Sequence, residues 1–286
     1  MSSFESIQRN LKFWLEYHGE ATLEEAADLR QQELFREWLQ SEKSLGLNSV
    51  RKVITIGKAA FNWSYKRGEV DKVPYFELVK VPKPEPMGRH IEVSEVAALI
   101  RAADKKHIKL FILMLIATAA RPKAVLDLQF DQIDFGEDII DLNPKGRSRT
   151  TKTRPVVKLP QSLKVLLQAE QLEGTNPYLI HYKDAPIKST RSAWQNLRTA
   201  ADLDDKVVPY SIRRTMARFM RKQGVPAWEV AEQLGHMSTG YRITELYTAH
   251  SPDYLEKAVE AIDVFLGLLA CELRVNDLVE ILEPLK

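Results

Sequence analysis

The chain has 286 residues, 44% of them hydrophobic, which supports two domains with separate cores and excludes a chain dominated by disorder. A single cysteine, Cys271, excludes an intramolecular disulfide. Without neighbouring thiols or a paired-histidine helix motif it also excludes a structural zinc site, and a reducing cytoplasm is the expected setting.

The net charge is only +2, but its distribution is uneven. Lys145, Arg147, Arg149, Lys152, Arg154 and Lys158 occur without an intervening acid, and Arg213, Arg214, Arg218, Arg221 and Lys222 form a second basic group. Asp253, Glu256, Glu260, Asp263, Glu272, Asp277, Glu280 and Glu283 make the C-terminal stretch acidic.

The N-terminus, Met1-Ser2-Ser3-Phe4-Glu5, lacks the basic start and apolar core of a signal peptide, so no export is expected. From residue 4 to about 79 the pattern is helical. Thr22 and Glu25 are spaced as a capping box at the start of one helix. A second helix is expected over Asn48–Gly68, with Val50, Val53, Ile54, Gly57, Ala60, Phe61, Ser64 and Tyr65 on one side and Gly68 as its stop. Beside that stripe fall Arg51, Lys58, Asn62 and Lys66, either a solvated helix surface or a strip that lies along DNA.

The proline-rich segment Val79–Gly88 cannot continue a helix and reads as an extended linker. The expected divisions are a helical domain at 1–85, a linker at 86–91, a second domain at 92–261 and a helical tail at 262–286. Helical patterning resumes at Val93 and runs into the apolar stretch Leu110–Ala120. That stretch is bounded by Lys109 and Arg121 and falls short of the roughly 20 residues that cross a bilayer, so it is expected to be a buried helix and no membrane association is expected.

Strand-like segments follow at Gln132–Phe135, Ile139–Leu142 and Pro155–Leu159, separated by Gly136-Glu137-Asp138 and by the basic loop, as in a small antiparallel sheet. The remainder is helical, most clearly over Arg191–Ala201, Ile212–Gln223 and Pro226–Leu234. The tail carries apolar faces that either complete this domain's core or dock on a neighbouring protomer. The fold class is therefore mainly α with a small antiparallel β-sheet.

Arg121 stands at a junction, because Pro122 disfavours helical geometry before it and suits the first turn of the next helix. Taken alone, such an arginine satisfies the last carbonyls of a helix. Further on, Pro209-Tyr210-Ser211-Ile212-Arg213-Arg214-Thr215 opens an amphipathic helix, Leu234-Gly235-His236 closes another with Gly235 as its end cap, and Tyr247 lies in Glu245-Leu246-Tyr247-Thr248-Ala249-His250. In this order the motifs, over about residues 91–261, resemble the tyrosine recombinases, the family of phage integrases. The N-terminal part resembles their helical core-binding domain in length and pattern only.

The resemblance implies a mixed α/β catalytic domain with Arg121 and Arg213 as the two catalytic arginines, Lys152 as the lysine of the β-hairpin loop, His236 in the Leu-Gly-His motif and Tyr247 as nucleophile. Displacement at a phosphodiester builds negative charge on the non-bridging oxygens, which fixed arginines neutralise with bidentate bonds. A tyrosine hydroxyl has an ordinary pKa of about 10, so nearby cations must favour its phenolate. The departing 5′-oxygen needs a proton, and a lysine in a cationic site can supply it. Because the phosphate is kept as a 3′-phosphotyrosine ester, neither ATP nor a metal is expected as cofactor.

Two positions depart from the family pattern. Tyr210 replaces the usual histidine three before Arg213, and Ala124 replaces the usual acid three after Arg121. Tyr210 is expected to hydrogen-bond phosphate without the charge of an imidazole, so chemistry should be slower. The stretch from His236 to Tyr247 is longer than usual and leaves Tyr241 as a competing nucleophile.

The resemblance further implies a C-shaped clamp on double-stranded DNA and a homotetramer on two sites; from the charge pattern, Arg51, Lys58, Asn62, Lys66, Arg147, Arg149 and Arg214 are expected to contact the DNA. Because the core-binding pattern starts almost at residue 1, no separate arm-binding domain is expected. Other readings are a type IB topoisomerase-like enzyme and a DNA-binding accessory protein that has lost cleavage.

Overall fold

The structure, a computed structural model, describes residues 3–82, 87–147, 153–236 and 252–283. The chain divides into two compact units, 1–85 and 86–286.

In the first unit, α1 (Ser3–His18), α2 (Leu23–Ala26), α3 (Leu29–Ser41) and α4 (Leu47–Lys66) surround an aromatic core of Trp14, Phe35, Phe61 and Phe76. The Thr22–Glu25 capping box forms as expected, but the helix it starts lasts one turn. Asp28 interrupts it and caps α3, accepting from the Arg30 and Gln31 amides.

On α4, Val50, Val53, Ile54, Gly57 and Phe61 are buried as the periodicity requires, whereas Ala60 and Tyr65 face solvent. A narrower stripe suffices because α1 approaches closely. A side chain at Gly57 would meet the Trp14 ring at 2.3 Å, and the Trp14 indole donates to the Val53 carbonyl at 3.1 Å. Helix does not extend to residue 79; the chain after Gly68 is irregular, with Pro74 and Pro82 barring helical hydrogen bonds.

The second unit is built around α6 (Lys106–Thr118), in which every residue from Ile108 to Thr118 is buried. The expected single helical run from Val93 is two helices, α5 (Val93–Ala102) and α6, parted at Ala103-Asp104. Next come α7 (Pro122–Leu126), a 3-10 turn (Phe130–Gln132), and an antiparallel sheet β1 (Ile133–Asp134), β2 (Ile139–Asp141) and β3 (Val156–Lys158). Ile140 faces Ile133 on one side and Val157 on the other, and these three residues bury the inner face. Asp134 caps the tight β1–β2 connection by accepting from the Gly136 and Glu137 amides.

After α8 (Gln161–Glu173), a hairpin of β4 (His181–Tyr182) and β5 (Ala185–Pro186) was not legible as strands. Its two turn residues are Lys183 and Asp184, which adopt φ of 47° and 61° without the Asn-Gly signature of such turns. Three helices follow, α9 (Arg191–Ala200), α10 (Pro209–Lys222) and α11 (Ala227–Gln233).

No boundary falls at residue 262, because α12 (Glu256–Leu273) runs through it unbroken. Ile262, Phe265, Leu266 and Leu269 are buried in the same core as α6, and a short α13 (Val279–Leu282) adds Ile281. The described residues of the tail thus pack within the core of their own unit. Among the described residues no helix is long and apolar enough to cross a membrane.

Phe265 is 1% exposed and packs edge-on against Phe219 at 5.1 Å. Phe265→Ala should cost about 3–5 kcal/mol of stability in denaturant unfolding. Val264→Ala, at a residue 48% exposed on the same helix, should cost well under about 1 kcal/mol.

Candidate active site

Three helix ends meet beside Arg121. α6 finishes with Ala119 in the left-handed region, φ 48°, which leaves its last carbonyls without helical partners. The Gln233 amide donates to the Thr118 carbonyl at 3.0 Å, and Arg213 Nη1 donates to the Ala119 carbonyl at 2.9 Å. The arginine that satisfies this helix end is therefore Arg213 from α10, and Arg121 is left to point elsewhere.

Arg213 is 3% exposed. Its Nη2 donates to the Leu234 carbonyl at 2.7 Å and lies 3.2 Å from His236 Nε2. Burial, and secondarily the neighbouring Arg121, lowers its pKa to about 10, which still leaves it charged at neutral pH. The Tyr210 ring lies 5.8 Å from the guanidinium carbon, one helical turn back on α10.

His236 follows a tight helix stop. Gly235, at φ 62°, donates its amide to the Glu232 carbonyl and His236 donates to the Ala231 carbonyl, both at 2.8 Å. A side chain at Gly235 would meet Pro155 Cδ at 2.7 Å and the Thr153 carbonyl at 2.9 Å, so the stop is pressed against the chain leaving the basic loop. Arg121 Nη1 donates to that Thr153 carbonyl at 2.9 Å.

Because a guanidinium has no acceptor, the Arg213–His236 contact assigns Nε2 as the acceptor and the imidazole proton to Nδ1. Burial, then Arg213 and Arg121, depresses the His236 pKa, so the neutral ring is favoured. A site of this composition can hold an anion between two cations and offers the Nδ1–H of a neutral imidazole as a further hydrogen-bond donor. Glu229 on α11, itself 2% exposed, accepts from the Ala258 amide at 2.7 Å and ties the start of α12 to the same helix that ends at His236.

Arg121, Tyr210, Arg213 and His236 are thus brought together, whereas Lys152, Arg149, Tyr247 and Tyr241 lie outside the described residues. Arg147 and Arg214 have protein partners away from this cluster: Arg147 donates to Asn143 Oδ1 at 2.6 Å, and Arg214 donates to the Gly88 carbonyl. In the first unit, Arg51 and Lys66 are exposed, while Lys58 and Asn62 are partly buried, with the Asn62 amide on the Lys58 carbonyl at 2.7 Å.

Sequence reasoning missed a cavity of about 530 Å³ whose lining includes Pro122 and Pro209, the chain neighbours of Arg121 and Tyr210, together with Lys123, Lys188, Arg191 and Arg198. Spaced singly, those cations resemble solvated side chains.

His236 should titrate below 6.5 by NMR, with the midpoint rising in Arg121→Gln as one opposing cation is removed. A depressed histidine pKa favours the native state above about 6.5, and that contribution is lost as pH falls through 6.5 toward the folded value.

Residues 89–253, more than half of the chain, match the phage integrase family. A tyrosine recombinase XerA of Pyrococcus furiosus is 24% identical over 236 residues, 80% of this chain and 79% of that protein. The integrase of transposon Tn1549 in complex with transposon right end DNA shares the fold with a TM-score of 0.66 at 16% identity, over 90% of this chain and 92% of that one. A lambda integrase tetramer bound to a Holliday junction gives 0.62 at 14% identity, over 83% of this chain and 73% of that one. A buried arginine on α10, a second at the α6–α7 junction and a histidine after α11, within a matched span of this extent, leave one conclusion: the chain belongs to the phage integrase family.

Proposed function

We propose that the chain is a site-specific DNA recombinase that cleaves and rejoins double-stranded DNA through a 3′-phosphotyrosine intermediate on Tyr247. The observation that carries the reading is the convergence of Arg121, at the α6–α7 junction, Arg213, on α10, and His236, after α11, in one cluster of two cations and a neutral imidazole.

In the first step the Tyr247 oxygen bonds to phosphorus as the P–O5′ bond breaks. Arg121 and Arg213 neutralise charge on the non-bridging oxygens. Neutral His236, its Nε2 already accepting from Arg213, donates from Nδ1–H to a non-bridging oxygen, the phenolic proton is lost to water as the two arginines favour the phenolate, and Lys152 protonates the departing 5′-oxygen. Tyr210 donates a hydrogen bond to the phosphate. In the second step a 5′-hydroxyl of the partner strand attacks the ester, the P–O bond to Tyr247 breaks and the tyrosine is restored. Thr153 follows directly on Lys152 in the sequence, and its carbonyl lies against Gly235, one residue before His236.

The cations of the cavity beside Arg121 and Tyr210 hold backbone phosphates flanking the scissile one. A homotetramer on two DNA sites is the working assembly, a reading supported by the fold shared with the lambda integrase tetramer.

Nicked DNA bearing the cognate site should yield a covalent protein–DNA band on a denaturing gel, without added metal or ATP, that is lost in Tyr247→Phe. A band that survives in Tyr247→Phe moves the nucleophile to Tyr241, and binding with no band in wild type favours the accessory-protein reading. Supercoil relaxation without strand exchange favours the topoisomerase reading. Lys188→Ala combined with Arg191→Ala should weaken DNA binding and reduce the slope of log Kd against log salt by about 2, as expected for two lost phosphate contacts.

A further inference from the structure

Ala124 leaves Arg121 without an acid one turn along α7, and the structure gives Arg121 a carbonyl partner, Thr153, instead. A lone carbonyl holds a guanidinium only as firmly as its own backbone is held. The residues around Thr153 are held from three sides. Pro155 presses on Gly235, its carbonyl accepts from the Leu142 amide at 3.1 Å, and Arg154 Nη2 donates to Asp127 Oδ2 at 2.8 Å.

Asp127 caps the end of α7, six residues after Arg121, and its second oxygen accepts from Lys123 Nζ at 2.6 Å. Arg154 and Asp127 side chains are 12% and 29% exposed, so the pair is shielded, and loss of one partner leaves the other charge poorly solvated.

We propose that the Asp127–Arg154 ion pair is a positioning device for Arg121, taking over across the sheet-to-helix gap the steadying role that an acid at residue 124 would have. The pair fixes Thr153, Thr153 fixes the Arg121 guanidinium, and the guanidinium is thereby placed against the scissile phosphate. Asp127 and Arg154 touch no reacting atom. This inference rests on the recombinase reading above.

The test measures single-turnover cleavage at saturating DNA for wild type, Asp127→Asn, Asp127→Glu and Arg154→Gln, with Arg121→Ala as reference. Each protein meets two nicked substrates: one with a normal scissile phosphate and one with a methylphosphonate there, which carries no negative charge for Arg121 to neutralise. Asp127→Asn and Arg154→Gln should cleave the phosphate about 10- to 100-fold more slowly, as a displaced catalytic group does, with DNA Kd changed by less than about 3-fold. On methylphosphonate they should match wild type within about 2-fold, as Arg121→Ala should, and Asp127→Glu should recover most of the phosphate rate.

Wild-type rates on phosphate in both charge-removing variants overturn the inference. So does equal slowing on both substrates, which is the signature of a pair that only supports folding; thermal unfolding of each variant identifies that case directly. Wild type forming no adduct on phosphate DNA sinks the recombinase reading and this inference with it, and is distinct from either result.

Discussion

The buried guanidinium of Arg213 is the constraint on which the site depends. It takes the carbonyl left over at the end of α6 and the one left over at the end of α11, and it does so at 3% exposure. Charged groups this deep are costly to bury unless their donors are occupied. Here the occupancy is supplied by two helix ends that would otherwise be short of partners. One side chain therefore fixes the mutual position of α6, α10 and α11, and with it the places from which Arg121 and His236 extend.

That arrangement also sets the electrostatics. Arg213, its pKa lowered by burial to about 10, stays charged at neutral pH, and burial, then Arg213 and Arg121, favours the neutral imidazole of His236. A cluster holding two permanent cations and a suppressed third is suited to a doubly coordinated anion whose charge rises during reaction. The Tyr210 ring beside Arg213 adds a hydroxyl without adding another titrating cation.

Much of this was legible in the sequence where the signal is local. The alternation that puts Ile140 and Val157 inward, the proline after Arg121, and glycine at the left-handed stop before His236 are each a few residues long and have single physical causes. What escaped was either non-local or chemically unmarked. The Arg154–Asp127 pair is 27 residues apart in sequence. The break between α5 and α6 falls inside continuous apolar periodicity, and the β4–β5 turn uses Lys-Asp where glycine is the usual marker. The Ala60 and Tyr65 assignments failed because α1 approaches α4 at Gly57 so closely that little width of α4 is needed. Tail residues past 262 could be read equally well as internal or external because an apolar face does not name its partner; Phe219 and the α6 core supply it here.

The Glu229–Ala258 bond joins two places that are far apart along the chain. One helix, α11, leads into the stop at His236 and also holds the first turn of α12 through a buried carboxylate. Phe265 of α12 packs in turn against Phe219 of α10, the helix that carries Arg213. Helix α12 is therefore a brace behind the cluster, so that a substitution on its buried face is felt at His236 and Arg213.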